Sequence, residues 1–171
     1  MSIRWYGLFP LEALDIYKDA QGQMLVKLLK MIPISNAKGK EMDAAELVTI
    51  LAETMIIPHY ALQKYITWEV IDASNIKGII HHNGISASGI FHFNEHGECI
   101  RFTTQDRYLT KKNNQYQKTP WTATANNYIL KKGIRFPTKF SASLHTDNSD
   151  YEYFKGSIKS VEFNKIELSG I

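Results

Sequence analysis

The sequence predicts an α+β fold: a curved antiparallel sheet forming a half-open barrel, with one central helix packed on its concave face. Three observations predict it. Aromatic residues make up 12% of the chain, nine Tyr and eight Phe among them, and such side chains suit pleated, half-buried surfaces. From Trp68 onward, alternating apolar and polar stretches are punctuated by turn signals such as Asn83-Gly84 and Lys132-Gly133, the pattern of a hairpin meander. Helical periodicity is convincing in one segment alone, residues 44–57.

The 171 residues are about one domain long and are read as a single domain, 1–171; a chain this size buries roughly two thirds of the surface its unfolded form exposes. Apolar residues at 44% and charged residues at 22% exclude a disordered chain. The net charge of +3 comes from 20 basic and 17 acidic residues interspersed along the chain, with basic doublets only at Lys111-Lys112 and Lys131-Lys132. A nucleic-acid footprint needs basic residues gathered on one face, so no nucleic-acid partner is expected. The lone Cys99 excludes an intramolecular disulfide, and no paired Cys/His zinc spacing occurs. Residues Met1 to Trp5 lack the apolar run of a signal peptide, and no apolar stretch of about 18 residues is present to span a bilayer. The expectation is a soluble chain without an integral membrane segment, cytoplasmic as it stands, the alternative being the soluble part of an anchored or exported protein.

Taken in order, the N-terminal third reads as two or three strands. Leu11 to Tyr17 and Met24 to Met31 flank a turn-like Asp19-Ala20-Gln21-Gly22-Gln23, and Pro33 and Gly39 punctuate the exit. The helix is expected to start near residue 44, with Asp43 capping its first turn and Glu46 reaching back in a capping box. Leu47, Ile50, Leu51 and Thr54 form a narrow stripe, and Pro58 ends the helix. Asn83-Gly84 suits a type I′ turn, which sets His82 opposite Ile85, Ile80 opposite Ala87 and Gly78 opposite Gly89. Counting across a four-residue turn at 94–97 pairs Phe93 with Glu98, Phe91 with Ile100 and Gly89 with Phe102. Phe91, Phe93, Ile100 and Phe102 then share the inner face, and Ser86, Ser88, His92, Arg101 and Thr103 the outer. Ile134 to Leu144 alternates cleanly, with Asp147-Asn148 as the next turn, and a parity break between Phe154, Ile158 and Val161, Phe163 suggests a bulge near Lys159. Asn113-Asn114 marks a further turn.

Several residues could carry chemistry. In this register His92 faces Cys99 with His96 in the turn, a set of borderline-soft ligands, yet the missing fourth ligand argues for no metal. His82 and Asp106 flank Ile85 and form half of a general-base arrangement, with no nucleophile elbow to complete it. Glu53, Glu69 and Asp72 are candidate acid-base carboxylates, and Lys77 is a cross-strand partner for Asp72. Trp5, Tyr60, Trp68, Phe91, Phe93, Trp121 and Phe140 are the aromatics available to line a cavity. Small Ala87 and Gly89 beside large Phe91, Phe102 and Trp68 place that cavity in the middle of the sheet.

The segments Leu51-Ala52-Glu53, Pro58-His59-Tyr60-Ala61-Leu62 and Trp68-Glu69-Val70-Ile71-Asp72 resemble an uncharacterised bacterial family of unknown function, as do Phe93-Asn94-Glu95-His96-Gly97, Arg107, Pro120-Trp121 and Gly133-Ile134-Arg135-Phe136-Pro137. The chain departs from it at Met55-Ile56-Ile57, where the family often carries a Trp. The order of strands, helix and long meander is also similar to the half-barrel of periplasmic lipoprotein carriers, a fold-level analogy. The resemblance implies no activity, substrate or cofactor; its landmarks in this chain are Glu53, Pro58, Trp68, Asp72, Arg107, Pro120, Trp121, Gly133 and Pro137, and of these Glu53, Trp68, Asp72, Arg107 and Trp121 are the ligand-binding positions expected. The function expected is binding of an apolar or amphipathic, lipid-like small molecule. Glu53, Asp72 and Arg107 would be polar anchors, Trp68 and Trp121 walls, and Arg107 would lie near the mouth. The alternatives are a hydrolase using Glu53 or Asp72 as acid or base, and a structural or interaction module. No catalytic residue, metal or cofactor is assigned.

Overall fold

The structure, a computed structural model, describes the backbone of residues 2–5, 9–18, 21–28, 32–38 and 110, and backbone with side chains for 39–109 and 115–161. Four strands open the chain, where two or three were expected: β1 (Ser2–Trp5), β2 (Phe9–Lys18), β3 (Gln21–Leu28) and β4 (Ile32–Lys38), paired antiparallel in that order. Lys18 pairs with Gln21, so β2 and β3 form the expected hairpin with Gly22 inside β3 rather than in the turn. The extra strand β4 contains Pro33, and as the sheet's edge it tolerates a residue without an N–H.

Helix α1 (Lys40–Glu53) begins earlier than expected. Gly39, at φ 117°, is its N-cap, no side chain caps it, and the Asp43 N–H already donates to the Gly39 carbonyl within the first turn. The capping box does not form because Glu46 is buried, 3.7 Å from Arg107 Nη1. After Glu53 the chain tightens into i→i+3 bonds, Thr54 to Leu51, Met55 to Ala52 and Ile56 to Glu53. Pro58, which cannot follow a helical residue comfortably, then starts a 3₁₀ turn over Pro58–Leu62. Met42, Ala45, Leu47, Val48, Leu51 and Ala52 are all buried, far more than one stripe. The reason is that α1 lies between sheets, against β3 on one side and two strands of the second sheet on the other. A helix apolar on nearly every side is a core helix.

That second sheet holds β5 (Ile66–Val70), β6 (Asn75–His82), β7 (Ile85–Phe93) and β8 (Cys99–Thr104). After an excursion through the two-stranded pair β9 (Tyr108–Thr110) and β10 (Tyr116–Lys118), it adds β11 (Trp121–Lys131), β12 (Ile134–Thr146) and β13 (Ser149–Ser157). Its seven strands are antiparallel, ordered β13-β12-β11-β8-β7-β6-β5, and do not close into a barrel. The fold is therefore α+β, and α1 rests on β6 and β7.

The Asn83-Gly84 turn has φ 47° and 78°, the two positive values of a type I′ turn, and His82 faces Ile85, Ile80 faces Ala87 and Gly78 faces Gly89 as counted. The next count is off by one residue at Phe93, where the turn is one longer than expected, and by two from His92 back. Phe93 pairs with Cys99 and His92 with Arg101, so Ile100 is a bulge. Phe102 consequently faces Phe91 at a ring separation of 4.7 Å, while Ile100 is 40% exposed. Phe102's ring lies over Gly89, where any Cβ would collide with it. The gap expected around Ala87 and Gly89 is thus filled, by Phe102 and by α1.

A second bulge is at Tyr153, not near Lys159: Ala142 pairs with Phe154 and Ser143 with Glu152, leaving Tyr153 unpaired. The Lys132-Gly133 turn is tight, with φ 50° and 79° and Lys131 opposite Ile134, and Asp147-Asn148 joins Thr146 to Ser149. The turn expected at Asn113-Asn114, and Phe163, lie outside the described residues.

Candidate functional site

Because α1 covers β6 and β7, the inner face of β11 to β13 is left to the helix's C-terminal half. A cleft of about 370 Å³ opens there, within the range of about 300–1,000 Å³ typical of small-molecule sites. Strand alternation builds its floor. Trp121, Ala123 and Ala125 point inward on β11, and Phe140, Ala142 and Leu144 on β12, all packed in the core cluster. The small side chains hold the floor low while Trp121 and Phe140 rise beside them. On β13 the bulge turns both Tyr153 and Phe154 into the cleft, which regular alternation forbids. The helical wall comprises Thr49, Ala52, Glu53, Met55 and Ile56.

Arg107 closes the inner end, on the segment between β8 and β9, where its carbonyl accepts from the Thr119 N–H. Only 5% of it is exposed, so it lies deep in the cleft rather than at the mouth. Its Nη1 donates to the Ala45 carbonyl at 2.6 Å and to Thr49 Oγ1 at 2.8 Å, and its Cζ is 5.7 Å from the Trp121 ring centroid. Trp121 is fixed on three sides: Arg107 over its face, Phe102 at 6.0 Å edge-on, and the Tyr153 hydroxyl accepting from its indole Nε1 at 2.8 Å.

Of the positions marked from the sequence, Glu53, Arg107 and Trp121 come together in this cleft. Trp68 does not line it: on β5, at the opposite edge of the sheet from β13, it donates to the Ala61 carbonyl at 3.0 Å and packs on Phe91. Asp72 sits exposed in the β5–β6 turn, where the Ser74 N–H and the Asn75 amide donate to it and hold its carboxyl below the usual range. Lys77 pairs with Glu69 at 3.1 Å rather than with Asp72. Thr49, Ala123, Tyr153 and Phe154 were missed as site residues. The sequence does carry the parity break behind Tyr153 and the Trp-Thr-Ala-Thr-Ala alternation of β11, but nothing in it singles out Thr49.

The remaining chemical candidates are dispersed. The Ile100 bulge turns Cys99 inward, so it no longer faces His92, and burial pushes its thiol up to about 12. His92 bonds to Thr103 Oγ1 at 3.0 Å, and burial lowers its pKa. Asp106 takes the Ser88 N–H at 2.9 Å and Lys118 Nζ at 2.9 Å, so its carboxylate serves as a clamp between strands. On the outer face His145 bridges Thr122 Oγ1 at 2.7 Å and Asp150 Oδ1 at 2.8 Å; these are side chains of three adjacent strands, and none lines the cleft. Among the described residues there is no cluster of three His, Cys, Asp or Glu able to hold a metal, and no helix long and apolar enough to cross a membrane.

With this geometry in view, the chain belongs to a family of unknown function, DUF6920, which matches it over residues 1–163. No curated protein and no solved structure matches it.

Proposed function

We propose that the protein is a binding module for an apolar or amphipathic small molecule, held in the cleft between the C-terminal half of α1 and β11 to β13. The observation that carries this reading is the floor of Ala123 and Ala142 under aromatic walls, an uneven apolar lining that protein interiors ordinarily fill. Burial of apolar ligand surface there is favourable by about 25 cal/mol per Å². The hydrolase alternative loses ground because Asp72 is engaged in a turn and does not share the cleft with Glu53.

Nile red, a neutral dye that brightens in apolar surroundings, tests the reading. The wild type is expected to bind it saturably, Ala142→Phe and Ala123→Phe to lose binding by filling the floor, and Trp68→Ala, outside the cleft, to retain it. No saturable binding by the wild type, or equal binding by the two filled variants, refutes the proposal.

A further inference from the structure

Arg107 is buried, yet all its polar contacts leave from one nitrogen. Nη1 donates to the Ala45 carbonyl and Thr49 Oγ1 and lies 3.7 Å from Glu46 Oε1. Those two bonds use both N–H groups of Nη1. Among the described residues, neither Nε nor Nη2 has a hydrogen-bond partner. A guanidinium presents five donors in a rigid fork, and Nε and Nη2 are not buried without a partner, so they are open to the cleft. The edge formed by Nε and Nη2 is the one that matches two oxygens of a carboxylate side by side. The guanidinium lies over the Trp121 ring and lines the cleft, so the apolar cleft ends in an unused, planar, cationic fork.

We infer that the ligand of this cleft is a carboxylate amphiphile, its two oxygens on Nε and Nη2 of Arg107 and its apolar body over Ala123 and Ala142. The inference rests on the binding reading above and adds the polarity and direction of the ligand. Thr49 fixes the fork in place by occupying Nη1, and so serves as a positioning residue. Glu53, four residues further along α1, borders the same cleft. The acid therefore enters head first, with its chain trailing between Phe140 and Phe154 towards solvent.

Displacement of Nile red from the wild-type chain by decanoic acid, decanol and decylamine at neutral pH tests this, because the three differ only in the head group. The acid is expected to displace the dye at a concentration about tenfold or more below that of the alcohol, the gain of a charge-assisted hydrogen bond over a neutral one. The amine should be no stronger than the alcohol. Arg107→Lys, which keeps the charge but lacks the second edge, should bring the acid's value to that of the alcohol. Acid and alcohol equal on the wild type, or the amine strongest, overturns the carboxylate assignment while the apolar cleft stands. Dye bound but displaced by none of the three overturns the carboxylate assignment alone, and no dye bound removes both. Should Arg107→Lys fail to fold, the wild-type series decides alone.

Discussion

Phe102 offers the sharpest test of how the second sheet is registered. It is fully buried, 4.7 Å from Phe91 and 6.0 Å from Trp121, with its ring over Gly89. A buried Phe removes about 150–250 Å² from water, which at about 25 cal/mol per Å² amounts to roughly 4–6 kcal/mol as an upper bound. Measured Phe→Ala costs of about 3–5 kcal/mol already include the cavity left behind. Two aromatic partners and the bare Gly89 backbone leave little to collapse into that space, so Phe102→Ala is expected to cost about 4 kcal/mol. Ile100 supplies the contrast. An unbulged strand would put it inside opposite Phe91, whereas the bulge leaves it 40% exposed, and Ile100→Ala should cost less than about 1 kcal/mol. Urea unfolding of both variants, with an unchanged m-value, measures the difference. Equal losses for the two would mean that Ile100 is a core residue and that the bulge is wrong.

Gly89→Ala should cost about 1–3 kcal/mol by overpacking against the Phe102 ring, and clearly less in a Phe102→Ala background; additive losses in a double-mutant cycle would show that the two do not touch. Cys99, with its thiol at about 12, is thiolate to about one part in ten thousand at pH 8; it should resist iodoacetamide in the native protein and react once urea unfolds it, and rapid native labelling would contradict its burial. Asp106 is held below the ordinary 3.8: burial acts to raise it, but the bonds from Lys118 and Ser88 outweigh that. A depressed carboxyl contributes stability above its unfolded pKa and loses it as pH falls through the folded value. Asp106→Asn should therefore cost about 0.2–1 kcal/mol at neutral pH, and the gap should narrow as the pH falls below 3.8; a gap independent of pH would assign the effect to packing.

What could be read before the structure was whatever is local. Asn83-Gly84 dictates its own turn, and the register followed for as long as no residue was added. The count slipped first at the turn, which holds 94–98 rather than 94–97, and again at Ile100, because Cys99-Ile100-Arg101-Phe102 offers more apolar residues than inward places and only packing against Phe91 decides between them. The helix's extent escaped for a similar reason: Glu46 looks like a capping residue until a buried arginine from elsewhere in the chain draws it inward. Glu53, Arg107 and Trp121 come from three distant segments, and no spacing rule joins them. They entered as family landmarks, and the tertiary fold brings them together. Trp68 and Asp72 carried the same mark and are held by local bonds at the far edge of the sheet.

Strand order in the larger sheet follows chain order, interrupted only where β9 and β10 fold out before β11 joins β8. Nearly every ladder can then zip from a short loop, and because closing entropy grows slowly with loop length, even the β8–β11 connection adds little. Such local pairing is the topology that folds quickly for a β-rich chain. The burden of cooperativity falls instead on α1, whose seat joins β3 to β6 and β7. Until it docks, the larger sheet presents an uncovered apolar face, so the passage through that step decides whether a newly made chain goes on to the native state or associates with its neighbours.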